Sequence, residues 1–155
     1  MPDPITIIGA AASVVTIVEV LAKTISTIHG LKGRWKDADI ALLSLASQLT
    51  ALKAALAKIR EWMENAVEEM HYQLVMDLES SIKCCQILSS RLYEELAEVE
   101  KYSGGTLSTG GKANFVLKSS GMAELQNMID RQTSALTLLL TACNRYADTQ
   151  RRFKQ

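Results

Sequence analysis

This chain of 155 residues has few of the side chains that most binding and catalytic sites need. Aromatic residues make up 5% of it, and it contains 3 cysteines, 2 histidines and 2 prolines. So few aromatics argue against the stacking platforms that bind single-stranded nucleic acid. Acidic and basic residues are equal in number, 17 of each, so no net charge attracts a polyanion. We therefore expect a single domain with no nucleic-acid partner.

The cysteines and histidines do not form a recognisable site. Cys84 and Cys85 are adjacent, which is poor disulfide geometry, and an odd total is typical of a reduced cytoplasmic protein. His71 follows Glu68 at the Glu-x-x-His spacing of di-metal bundles, but the pattern occurs only once. We expect cysteines that pack as small core residues, and no catalytic residue, metal, cofactor or small-molecule substrate.

The stretch GGTLSTGGKA resembles a phosphate-binding loop at first sight, but its spacing is wrong. Thr106 stands where the motif needs its first glycine, and Ala113 replaces the hydroxyl residue after the lysine. The preceding element is an acidic helix, whereas the motif follows a strand. We expect a flexible loop over residues 102–111 instead.

The first stretch, residues 4–22, is the most apolar part of the chain. It has nineteen residues and one formal charge, Glu19. A helix of this length is about 28 Å long, close to the ~30 Å hydrocarbon layer of a bilayer. Asp3 precedes the run and no basic residue comes before Lys23, which argues against a secretory signal peptide. We expect a helix that is buried in a bundle at rest.

This first helix is predicted to have an apolar side and a narrow, weakly polar side. Heptad-like spacing predicts that the core-facing stripe comprises Ile7, Ala11, Val14, Val18, Leu21, Ile25 and Ile28. The opposite side carries Gly9, Ser13, Thr16, Lys23 and Thr27, with Glu19 at its edge.

Apolar residues that alternate every three and four positions predict the remaining helices. We expect helices at residues 4–29, 37–65, 67–101, 112–119 and 120–150. Together these five helices indicate one all-α domain over residues 1–155. We expect an antiparallel four-helix bundle with a short extra helix before the last long helix. The predicted bundle core comprises Leu42, Leu45, Leu49, Leu52, Leu56, Ile59, Leu78, Ile82, Leu92, Leu96, Leu125, Ile129, Leu136 and Leu139.

Four segments of the chain, spread from Asp3 to Asn144, carry a family resemblance. They read DPITIIGAAASVVTIVEVLAKTI, GRWKDAD, LASQLTALKAALAKI and FVLKSSGMAELQNMIDRQTSALTLLLTACN. In this order they resemble the HeLo-like N-terminal domains of fungal cell-death and NLR-type proteins. That family is similar to the HET-S HeLo domain and to the four-helix bundle of mixed lineage kinase domain-like protein. The resemblance implies an effector domain that oligomerises and permeabilises membranes through its first helix, in fungal innate immunity or heterokaryon incompatibility.

On this hypothesis the first helix leaves the bundle and inserts into a membrane. The candidates for membrane insertion are Ile5, Ile7, Ile8, Val14, Val15, Val18, Leu21 and Ile25. The candidates for lining a pore are Gly9, Ser13, Thr16 and Glu19. The expected partners are further copies of the chain and membrane lipids, with anionic lipid as one candidate. We expect a cytoplasmic protein that moves to the plasma membrane on activation. The alternative hypothesis is a self-association or adaptor bundle that never enters a membrane.

Overall fold

The computed structural model of the protein consists of four long helices. It describes the backbone of residues 4–32, 39–65, 72–102 and 120–155, and the side chains of residues 9–31, 40–65, 73–98 and 121–155. The helices are α1 (Pro4–Lys32), α2 (Asp39–Asn65), α3 (Tyr72–Tyr102) and α4 (Ser120–Lys154). The described residues contain no strand. The predicted all-α helical bundle is therefore confirmed.

Three helices continue beyond their predicted ends, and α3 does so by one residue, Tyr102, which was expected to begin the loop. α1 was expected to end at residue 29, but it runs through Gly30 to Lys32. Leu31 is 2% exposed, and its burial outweighs the ~1 kcal/mol cost of a glycine inside a helix. α4 was expected to end at residue 150 but reaches Lys154, where basic side chains in its last turn favour the helix dipole. The predicted short helix 112–119 and residues 103–111 of the predicted loop lie outside the described residues.

Each helix is packed against two others in a square arrangement. α1 packs against α2 and α3, and α4 packs against the same two helices. α1 and α4 therefore lie on one diagonal of the square, and α2 and α3 lie on the other.

Helix directions follow from the short connections and from one inter-helix hydrogen bond. Six residues separate α1 from α2, and six separate α2 from α3. Such segments span at most ~21 Å, so each helix runs back along the bundle. Gln48 Nε2 of α2 donates to Asp130 Oδ2 of α4 at 3.0 Å. Further along, Trp62 and Leu140 line one surface cleft, so α2 and α4 run parallel. Only the pairs α1–α2 and α3–α4 are antiparallel neighbours.

The core lies along the axis of the square. Of the predicted core residues, Leu139 is partly buried and packs against the edge of the core, while the other thirteen are at most 2% exposed. Ser89 also lies in the core, where its hydroxyl donates to the carbonyl oxygen of Gln86 at 3.1 Å. A hydroxyl bonded to its own helix is tolerated at a core position.

Candidate membrane-active surface

The less buried side of α1 is small and weakly polar. We call it the outer face of α1, and it comprises Gly9, Ala12, Ser13, Thr16, Glu19 and Lys23. Ser13 is partly buried and the other five are exposed. Gly9 and Ser13 lie at the edge of this face, where they line a cleft with Lys83 and Gln86 of α3. No ion pair joins Glu19 to Lys23 among the described residues, although they stand one helical turn apart.

Hydroxyl groups of α1 bond to their own helix. Ser13 donates to the carbonyl oxygen of Gly9 at 3.0 Å, and Thr16 donates to that of Ala12 at 3.3 Å. Thr24 and Thr27 donate to the carbonyl oxygens four residues before them, at 2.8 and 3.0 Å. These bonds need neither water nor a neighbouring helix, so they persist in a non-polar environment.

The core-facing stripe of α1 differs from the predicted one. The buried residues are Ala10, Val14, Ile17, Leu21, Thr24, Ile28 and Leu31. Val14, Leu21 and Ile28 belong to both stripes, whereas Ala11, Val18 and Ile25 are only partly buried. The helix is thus turned by roughly 60° from the predicted orientation, taking 100° per residue. Thr24 occupies a core position because its hydroxyl bonds to the carbonyl of Val20.

The five insertion candidates whose side chains the structure describes are buried or partly buried. Val14 and Leu21 are fully buried, and Val15, Val18 and Ile25 are partly buried. The side chains of the other three candidates, Ile5, Ile7 and Ile8, lie outside the described residues. The pore-lining candidates Gly9, Ser13, Thr16 and Glu19 all belong to the outer face of α1. Lipid could therefore contact the buried candidates only after α1 had left the bundle.

Release of α1 would cost a substantial free energy in water. Five of its large side chains, Val14, Ile17, Leu21, Ile28 and Leu31, are each at most 2% exposed. Burial of such a side chain contributes ~1.5–3 kcal/mol, so returning all five to water costs about 10 kcal/mol. The resting bundle is stable against spontaneous release unless another apolar environment receives these side chains.

Two described helices are long and apolar enough to span a membrane by length and composition. One is Gly9–Leu31 in α1, where only 28% of the apolar window is buried. The other is Ile40–Asn65 in α2, where 33% is buried. The second one was not predicted, because the leucine seam of α2 indicates a buried helix. The absence of charge between residues 40 and 52 was the available signal.

Two of the three cysteines are shielded from solvent in the resting fold. Cys85 and Cys143 are fully buried, and Cys84 is partly buried. Burial, together with the neighbouring Cys84, raises the pKa of the Cys85 thiol to about 12. Burial likewise raises the pKa of the Cys143 thiol to about 11. Within the described ranges, no group of three acidic, histidine or cysteine side chains could hold a metal ion.

Comparison with known proteins adds no relative. No family model, no curated protein and no solved structure matches the chain. The resemblance to HeLo-like domains therefore stays a prediction that rests on the sequence segments quoted above.

Proposed function

We propose that this chain is a membrane-permeabilising effector domain of the cell-death type, which oligomerises on activation and acts through α1. At rest it is a cytoplasmic bundle, and on activation it moves to the plasma membrane. Its partners are then membrane lipids and further copies of the same chain.

One observation supports the proposal most strongly, the composition of α1 on both of its sides. The inward side supplies large apolar residues such as Ile17 and Leu21, which suit lipid as well as they suit the core. The outer face supplies small residues and hydroxyls that are already bonded within the helix. Gly9–Leu31 contains only two charged residues, Glu19 and Lys23.

The two charges favour an assembly of several chains over a single inserted helix. A charged residue at membrane depth costs ~2.5–3.5 kcal/mol or more, unless it faces water or a partner. Glu19 and Lys23 share one side of α1, so several copies arranged in a ring place them towards a common aqueous interior. A lone helix leaves both in hydrocarbon.

Activation has to offset the cost of removing α1 from the core. The ~10 kcal/mol lost when five large side chains leave the bundle is regained when the same side chains enter hydrocarbon. Oligomerisation adds contacts between the released helices. A bundle that is stable alone and active when clustered at a membrane follows from this balance.

Dye release from anionic liposomes tests the proposal with the variant Thr16→Glu. Thr16 is exposed, so a carboxylate there meets water in the resting bundle. In the inserted state it adds a second acidic group near Glu19, and we expect dye release or ion selectivity to change several-fold. Ser134→Glu is the matched control, because Ser134 is also exposed and has an acidic residue, Asp130, within one helical turn. We expect the control to behave as the unmodified chain.

The adaptor hypothesis predicts a different pattern. A bundle that only binds other proteins releases no dye, even at concentrations where the chain self-associates. Thr16→Glu would then have no effect beyond a small change in stability, which urea unfolding measures for both variants. Absence of release from the intact chain with clustered protein on the vesicles would contradict the effector proposal.

A further inference from the structure

α2 contains a second segment with the length of a membrane span. From Ile40 to Ala57 it has eighteen residues and a single charge, Lys53. As a helix these residues are about 27 Å long, close to the ~30 Å hydrocarbon layer. Immediately after it come Lys58, Arg60 and Glu61, together with Trp62. Basic residues and tryptophan are the side chains that anchor a span at the headgroup level.

The exposed side of this segment carries no charge. Ile40 is 86% exposed and Leu43 is 50% exposed, which is unusual for large apolar residues at the start of a helix. Further along, Ser47, Thr50 and Ala54 are exposed. The hydroxyl of Thr50 donates to the carbonyl oxygen of Ala46 at 2.7 Å, so it is satisfied within the helix. We call these five residues the outer face of α2.

The other two described helices are unsuited to hydrocarbon. α3 contains nine charged residues in 31, α4 eight in 35 and α1 three in 29. α2 contains six in 27, but four of them lie at or after Lys58, beyond the apolar segment. In α3 the charges are spread along the helix, from Asp77 to Lys101. Among the described residues, the segments long and apolar enough to span a membrane therefore belong to α1 and α2.

α1 and α2 already form an antiparallel pair. They are neighbours in the square and only six residues separate them. If both leave together, the interface between them is kept and the bundle separates along the α1–α3 and α2–α4 contacts. The α2–α4 contact includes a defect, because Gln48 Oε1 is buried without a hydrogen-bond partner. Its amide nitrogen bonds to Asp130, which is exposed.

We propose that α1 and α2 enter the bilayer together as a helical hairpin, with lipid hydrocarbon as the partner of the outer face of α2. This inference rests on the proposed function and extends it from one inserted helix to two. The connection, with Lys32, Arg34 and Lys36, crosses to the far side of the membrane. Lys58 and Trp62 mark the return to the near side.

Protease protection distinguishes the hairpin from insertion of α1 alone. Trypsin is added outside liposomes that have released a small dye but retain a large dextran, so that the protease stays outside. In the hairpin, the basic residues of the connection are shielded and the first accessible site follows Lys58. The protected fragment identified by mass spectrometry then ends at Lys58 or Arg60. If α1 inserts alone, trypsin cleaves at Lys32, Arg34 or Lys36, and the fragment ends there.

A charge placed on the outer face of α2 gives a second, independent readout. Ser47→Asp puts a carboxylate in water in the resting bundle but at membrane depth in the hairpin. We expect about a hundred-fold loss in the potency of dye release. Ser80→Asp is the control, because Ser80 is also exposed. It lies as far from the start of α3 as Ser47 lies from the start of α2. Urea unfolding of both variants checks that the resting bundle is unchanged.

The possible outcomes separate the two proposals. A protected fragment that ends at Lys58 or Arg60, with loss of release in Ser47→Asp alone, supports the hairpin. A fragment that ends between Lys32 and Lys36, with Ser47→Asp fully active, overturns the hairpin and leaves the effector function intact. Equal loss in Ser47→Asp and Ser80→Asp also overturns the assignment of α2. No dye release and no protected fragment from the unmodified chain overturns both proposals.

Discussion

The orientation of α1 in the bundle determines how Ile17→Ala changes stability. Ile17 is 1% exposed and belongs to the core, whereas Ile25 is only partly buried. Truncation of a buried isoleucine to alanine costs ~2–5 kcal/mol, because apolar contact is lost and a cavity remains. We expect Ile17→Ala to lower the free energy of unfolding by about 3 kcal/mol. Ile25→Ala removes the same atoms and should lower it by less than half of that amount.

Urea unfolding followed by circular dichroism at 222 nm (the far-ultraviolet helix band) measures both values. A loss in Ile25→Ala equal to or larger than that in Ile17→Ala would refute the orientation of α1 described here. The same two variants also test the release of α1 from the bundle. If α1 packs against the rest of the bundle ~3 kcal/mol less favourably, the population of chains with α1 released rises by about a hundred-fold. Ile17→Ala should therefore release dye at a lower protein concentration than Ile25→Ala.

Further predictions concern the buried thiols and the buried glutamine oxygens. At neutral pH a maleimide reagent should label only Cys84, and unfolding in urea should expose Cys85 and Cys143 as well; mass spectrometry counts the labels. Because burial raises both pKa values above the ordinary 9.0, the folded chain keeps these two protons at a pH where the unfolded chain loses them. The contribution of these two thiols to the free energy of unfolding should be constant below pH 9. It should fall above pH 9, up to about pH 11 for Cys143 and about pH 12 for Cys85, by at most ~1.4 kcal/mol per pH unit for each thiol. A smaller fall of the free energy of unfolding with pH in Cys143→Ala checks this prediction. Labelling of all three thiols in the folded chain would contradict the burial of Cys85 and Cys143. Gln132 Oε1 is buried without a partner, so Gln132→Leu should raise the free energy of unfolding by ~1–2 kcal/mol in urea. Gln48→Leu, which also loses a 3.0 Å bond, should gain less, and a destabilised Gln132→Leu would show that the glutamine is needed there.

The helices with a single apolar seam could be predicted from the sequence almost residue by residue. In α2 the leucines alternate every three and four positions, and polar residues lie between them. Only one orientation therefore buries Leu42, Leu49 and Leu56 together. The same reasoning holds for α3, where Leu78, Ile82, Leu92 and Leu96 are buried as predicted.

The orientation of α1 could not be predicted in the same way. Its residues are apolar on nearly every side, so the predicted and the observed stripes are almost equally apolar. The choice depends on contacts with α2 and α3, which bury Ile17 in preference to Val18. Thr24 counted against the observed stripe, because periodicity does not register that a threonine hydroxyl bonds to its own helix.

The sequence pattern also could not predict which helices are neighbours in the square. Seam periodicity predicts which side of a helix is buried, but not which helix covers it. Contacts between distant residues, such as Gln48 with Asp130, show that α2 lies beside α4. The outer face of α2 was missed for a related reason, since exposed apolar residues such as Ile40 are only evident once the core is known.

The central claim, that α1 moves from the core into lipid, can be measured directly with a fluorescent label on Val18→Cys. Val18 is partly buried beside the core at rest and is a candidate for lipid contact after insertion. Cys84→Ser removes the accessible native thiol, and a label on Ser134→Cys is the control on the outside of α4. The account predicts that nitroxide-labelled lipids quench the label at residue 18, but not at residue 134, at the same time as dye is released. Dye release without quenching at residue 18 would contradict it.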